Sequence, residues 1–144
     1  MKKGFGQIIL CILLFVLPVQ LFAGVQGKID VFVSIPPQKW LCEQLGGERV
    51  NTSLLIAKGQ EPHTFEPSPR QIRALSSSHL FFTVGLIFEQ ELIRRLRSGA
   101  PSLQIIDTSK NIEKIPMDGD GHGHNATLDP HVWLSPYNLK SMAA

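Results

Sequence analysis

From residue 29 onward, short apolar runs rich in branched residues alternate with segments whose apolar positions return every three or four residues. IDVFVSI (29–35) has the branched and aromatic character of a strand. Pro36 and Pro37 stop it and open a helix, because proline is tolerated in a first helical turn. That helix covers QKWLCEQL, with Leu41 and Leu45 one turn apart, and ends at Gly46–Gly47. RVNTSLLI (49–56) is a second strand. Ser68 is placed to cap a helix over 69–77, with Pro69 in its first turn and Ile72 and Leu75 as its apolar positions. HLFFTV (79–84) is a third strand, apolar enough to be covered on both faces, and Gly85 ends it. IFEQELIRRLRS (87–98) is amphipathic: Phe88, Leu92 and Leu96 share a face, and Glu91 lies four residues before Arg95. Gly99 and Pro101 close that helix, and LQIID (103–107) is a fourth strand.

Strands and helices alternating through short loops predict an α/β lobe over residues 24–108, a four-stranded parallel sheet flanked by helices. Ligands of such sheets bind beyond the carboxyl ends of the strands. After Thr108 the periodicity lapses. Residues 109–127, rich in Asp, Gly and His, read as a mobile loop, and 128–144 as a short fixed segment followed by the first turns of a helix.

The first residues have a different pattern. Lys2 and Lys3 precede the apolar run IILCILLFVL (8–17), then Pro18 and the small residue Ala23. This predicts a secretory signal peptide over 1–23, cleaved near Ala23, and a periplasmic mature protein. The run is short for a membrane span, and an uncleaved anchor is the alternative. Removing Lys2 and Lys3 leaves twelve basic residues against twelve acidic ones. With no net charge and no basic run, the mature chain offers no footprint for nucleic acid. Cys11 leaves with the leader and follows Leu10, a poor context for lipid attachment. Cys42 then has no partner for an internal disulfide and is expected to be a buried, inert thiol.

The chain has five histidines. His79 opens a strand and is expected to be structural. His63 lies in EPHTFEPSP (61–69), where Pro62, Pro67 and Pro69 remove amide donors and push the residues before them into extended backbone. His131 repeats that setting in LDPHVWLSP (128–136), with Trp133 and Leu134 as apolar anchors. Two imidazoles on stiff loops at one sheet edge fit a metal site, whose ligands tolerate little positional slack. They also fit two histidines that merely cap loops.

EPHTFEPSP and LDPHVWLSP, together with VFVSIPP, GGERV and GLIFE (85–89), resemble the metal-specific solute-binding proteins of bacterial ABC transporters, which capture zinc or manganese. The resemblance runs from residue 29 to residue 144. It implies that His63 and His131 ligate Zn2+ or Mn2+, that the ion passes to a membrane permease, and that the metal sits between this lobe and a second one. Zinc-type relatives often carry an acidic, histidine-rich loop between the two motifs. DGDGHGHN (118–125) is a short version in which His122 and His124 could hold zinc weakly, or simply a solvated loop. It also mimics a calcium loop. His122 stands where an oxygen ligand is needed, Asp129 replaces the terminal glutamate, and Pro116 and Pro130 block the flanking helices, so calcium is rejected. Glu61, Glu66 and Asp129 flank the histidines and could orient an imidazole as hydrogen-bond acceptors, Glu66 and Asp129 being the candidates retained.

Family members are longer, and their second lobe supplies the remaining ligands. The expectation is therefore an N-terminal half with an incomplete site, as a fragment, a truncated gene product or a chain completed by another. Two other functions stay open: an adhesion or interaction module without a working metal site, and a metal-dependent hydrolase with Glu66 as base. The hydrolase lacks HExxH or any similar spacing, and no enzyme activity is expected.

Overall fold

Val31, Phe32 and Val33 supply the branched and aromatic centre of β1 (Ile29–Val33), which lies in the middle of the sheet. The computed structural model describes residues 27–62, 64–117 and 128–144. The leader expected over 1–23, and His63, His122 and His124, lie outside the described residues. The other elements are α1 (Pro36–Gly46), β2 (Val50–Leu54), α2 (Pro69–Ser76), β3 (Leu80–Thr83), α3 (Ile87–Gly99), β4 (Gln104–Asp107) and α4 (Pro136–Met142), with single 3-10 turns at Gly47–Arg49 and Val132–Leu134.

The four strands form one parallel sheet in the order β2-β1-β3-β4. The expected α/β lobe is thus present. Strand ends fall slightly inside the sequence ranges because the flanking residues take other roles. Ser34 and Ile35 turn their N–H groups to the Oε1 of Gln38, at 3.0 and 3.3 Å. Leu55 and Ile56 continue the pairing of β2 without regular strand geometry, donating to Val33 O and Ser34 O.

The register sets Phe32, Phe81 and Ile105 side by side on one face. They join Leu75 of α2 and Leu92 and Leu96 of α3 in the main apolar core. The opposite face carries Val31, Leu80, Phe82 and Ile106. Here α1 packs mainly over β2 and β1, so β3 is not covered equally on both faces as its sequence suggests: Phe81 and Thr83 are buried, while Leu80 and Phe82 are half-buried. The same geometry leaves Leu45 59 % exposed, although it lies one helical turn from Leu41, which packs against the core.

Helix entries follow their capping residues. Pro36 and Pro37 occupy the first turn of α1, and Gly47, at φ 54, closes it with its N–H on Glu43 O. In α2 the Ser68 hydroxyl accepts from Gln71 N, while Gln71 Oε1 accepts from Ser68 N, a reciprocal capping box. Beyond β4, Asp107 Oδ1 accepts from Ser109 N and Oγ at 2.8 Å, Ile112 packs against the core, and Pro116 bridges antiparallel to Leu128.

Candidate metal centre

Because all four strands run the same way, their carboxyl ends share one edge. The loop 57–67 follows β2, and residues 84–86 follow β3, with β1 between those two strands in the sheet. Two contacts fix that first loop. Gln71 Nε2 donates to Leu55 O at 2.9 Å and ties the start of α2 to the end of β2. Phe65, two residues past His63, packs against the core and meets the Phe88 ring edge-on, with centroids 5.1 Å apart and planes at 74°. Beneath the loop, Phe65, Glu66, Phe88 and Arg95 line a cleft of ≈ 290 Å³. Glu66 is solvent-exposed.

His131 is held on several sides. Its backbone N–H donates to Asp129 Oδ1 at 2.9 Å, and its ring Nδ1 lies 2.6 Å from the same oxygen. Asp129 N in turn donates to Ile115 O at 2.8 Å. Val132, next in the chain, is buried in the core, and its carbonyl accepts from Asn138 Nδ2 at 3.0 Å. The Trp133 ring stacks at a tilt against the imidazole, 5.1 Å between centroids. A carboxylate on Nδ1 fixes the proton there and leaves Nε2 with its lone pair free, the tautomer a metal requires. The His131 N–H, and then its ring, hold the Asp129 carboxyl below the usual carboxylate range. Asp129 is thus paired with the ring Nδ1 of His131.

His79 lies at the far edge. Its Nδ1 accepts from Asp30 N at 3.0 Å, and its backbone carries the sheet onward to Gln104. This is the structural role expected, although the residue is exposed rather than buried. Cys42 is half-buried, and burial, then the Glu43 carboxylate, push its thiol up. Among the described residues no group of three or more His, Cys, Asp or Glu side chains converges as a metal shell.

Two buried polar residues at this edge were missed by the sequence reading. Gln38, 2 % exposed, accepts from Ser34 N and Ile35 N and donates to Thr83 O and Thr108 Oγ1, both at 3.0 Å. One amide thus joins the ends of β1, β3 and β4. Glu89, 1 % exposed, accepts from Val84 N, Gly85 N and Leu86 N and from the Ser34 hydroxyl. Burial raises its carboxyl above the ordinary value, while the Ser34 hydroxyl and the three N–H groups pull it back down. A glutamate at the third position of a helix is half of a capping box. The signal was obscured because Leu86 stands where the Ser or Thr would be.

Comparison with known proteins gives a coherent set. The family model described as zinc-uptake complex component A, periplasmic (ZnuA), matches residues 31–144. A protein of Chlamydia trachomatis named as a putative metal-binding protein is 33 % identical over 134 residues, covering 92 % of this chain and 46 % of that protein. The manganese-binding lipoprotein MntA of Halalkalibacterium halodurans is 33 % identical over 98 residues, 67 % of this chain and 30 % of its own length. A zinc-bound deletion mutant of ZnuA superposes with a TM-score of 0.71 at 36 % identity, over 81 % of this chain and 44 % of that one. The chain spans less than half the length of each of these proteins.

Proposed function

The chain belongs to the family of the periplasmic zinc-uptake component A, and from that premise we propose that it captures a divalent metal ion outside the inner membrane for delivery to an ABC-transporter permease, zinc in preference to manganese. His63 and His131 are the ligands that this lobe supplies. The role is capture and release, with no covalent chemistry.

The observation that supports this most directly is the setting of His131. Its Nδ1 is committed to Asp129 at 2.6 Å, and a buried neighbour, a tilted tryptophan and a proline on each side of the segment limit how far the ring can swing. Neutral imidazole binds zinc at about 2.0–2.1 Å with little slack. The carboxylate nearest the ring is turned to that ring, so the donors offered are nitrogens, which suit zinc better than the oxygen-preferring manganese. Two imidazoles are half of a four-ligand shell. Since the chain spans less than half the length of each matched protein, we assign the other donors to a second lobe.

The test is thermal unfolding with and without metal. A ligand that binds only the folded state stabilises it by about 2.7 kcal/mol at a hundredfold excess over Kd. Zinc should raise Tm more than manganese does, and His63→Ala and His131→Ala should each diminish the rise. No rise with zinc would overturn the reading in favour of an interaction module. A rise that survives both substitutions would move the site elsewhere.

A further inference from the structure

The balance of basic and acidic residues hides a segregation of charge that the fold brings out. After Ala23 the chain has six arginines and six lysines. Five of the arginines, Arg70, Arg73, Arg94, Arg95 and Arg97, lie on α2 and α3, and neither helix carries a lysine. The two helices pack on the same face of the sheet and flank one cleft, to which α2 brings Ile72 and α3 brings Phe88, Leu92 and Arg95. All five arginines are exposed. Arg70 and Arg73 are three residues apart, as are Arg94 and Arg97, so each pair shares a stripe of its helix that faces away from the buried Leu75 of α2 or Leu92 and Leu96 of α3.

Carboxylates offset this charge only in part. Glu89 is buried, and Glu91 is shared by Arg94 and Arg95, lying 2.9 Å from the Nε of Arg95. Glu66 lines the cleft between the helices. Among the described residues no carboxylate pairs with Arg70, Arg73 or Arg97. Ile87, 67 % exposed, stands two helical turns before Arg94 on the same stripe.

We propose that the α2–α3 face docks the protein on an anionic phospholipid surface. A guanidinium is a planar fork that matches phosphate oxygens and is more weakly hydrated than an ammonium. The arginines are spread along two helices and converge on no single point, which suits an array of headgroups better than one carboxylate. An exposed apolar side chain set among cations suits the headgroup boundary for the same reason. The face lies along the sheet, so a membrane against it leaves the carboxyl ends of the strands open at the side. The proposal stands on charge and exposure and does not require the lobe to bind metal.

The experiment is co-sedimentation of the protein, recovered after export, with vesicles of phosphatidylglycerol and phosphatidylcholine in equal parts. Vesicles of phosphatidylcholine alone measure whatever an apolar leader contributes. Binding should be tighter on the anionic vesicles and should weaken as salt rises, because the attraction falls off within a Debye length, about 8 Å at physiological ionic strength. Each basic side chain near such a surface contributes about fivefold in affinity. Arg70→Gln/Arg73→Gln/Arg97→Gln should therefore bind about 100-fold more weakly. Lys28→Gln/Lys110→Gln/Lys140→Gln removes the same charge from exposed positions outside α2 and α3, and should lose no more than about fivefold. Both triple variants alter exposed side chains, so urea unfolding should find each folded and close to the parent in stability. Equal losses in the two triple variants, binding that ignores salt, or no preference for the anionic vesicles overturns the proposal. A further arm offers polyglutamate in place of vesicles. Capture by polyglutamate without binding to anionic vesicles overturns the proposal in favour of an acidic protein partner.

Discussion

Replacing Gln38 with leucine keeps the volume of the side chain and removes its four hydrogen bonds. The cost can be worked group by group. Thr83 O loses the Nε2 donor but keeps Thr108 Oγ1 at 2.8 Å and Thr108 N at 2.9 Å, so its loss is small. Thr108 Oγ1 still donates to that carbonyl and is only half-buried. The N–H groups of Ser34 and Ile35 fare worse. Both residues are buried, at 0 % and 3 % exposure, and both N–H groups point at the Oε1 that is removed. A buried donor left without a partner costs about 1–3 kcal/mol, so two cost about 2–6 kcal/mol before any relaxation. A domain of this kind has about 5–15 kcal/mol in total. Urea unfolding of Gln38→Leu should therefore show a much lower midpoint with an unchanged slope. Gln38→Glu should not rescue it, because the acceptor is restored only by burying a charge. A loss below about 1 kcal/mol in Gln38→Leu would refute the claim that this amide holds the strand ends together.

Asp129→Ala should lower zinc affinity by about 10- to 100-fold, with the far-UV spectrum unchanged, because the imidazole loses the acceptor on Nδ1; chelator competition measures it, and an unchanged affinity would remove Asp129 from the site. Glu89 makes stability depend on pH in a defined direction. Burial raises its folded-state pKa above 4.5, so between 4.5 and the folded value the native state holds more protons than the unfolded chain, and stability falls as pH rises. Glu89→Gln lacks this term, so the urea-derived stability of the parent relative to Glu89→Gln should decline on going upward from pH 4.5; a difference that stays flat or grows would contradict the assignment. Gly85→Ala should cost about 1–2 kcal/mol in urea unfolding, because the residue sits at φ 81 and a Cβ there meets the Lys114 amine; a neutral substitution would show that the turn before α3 is free to adjust.

Much of this lobe was legible because its elements are signalled by neighbours in the chain. Pro36–Pro37, the Ser68–Gln71 box and the Phe88, Leu92, Leu96 face are local patterns, and each marks an element observed close to its expected place. The pairing of Asp129 with His131 is local in the same way, since the two residues stand two positions apart. Leu45 and Phe82 were misjudged because their exposure depends on which strands α1 overlies, and strand order is not written in any local run. Gln38 and Glu89 were missed on similar grounds. Gln38 looks like an ordinary polar position in a helix until the fold brings Thr83 and Thr108 to it, 45 and 70 residues away. Glu89 reads as a surface charge until Ser34 is placed above it, 55 residues away.

The same comparison explains why polar side chains occupy the carboxyl edge at all. Apolar packing of equal volume would stabilise the lobe at least as well, since a hydrogen bond gains little over its exchange with water. Apolar contacts, however, are non-directional, and they let strand ends slide by fractions of an ångström at small cost. Gln38 and Glu89 between them bind Ser34, Ile35, Thr83, Val84, Gly85, Leu86 and Thr108. Each bond has a preferred length and angle, so the ends of β1, β3 and β4 are fixed in relative height. A generic α/β lobe has no use for that precision. On the proposed function, two imidazoles sharing one cation would use it, because a metal ligand tolerates little positional slack.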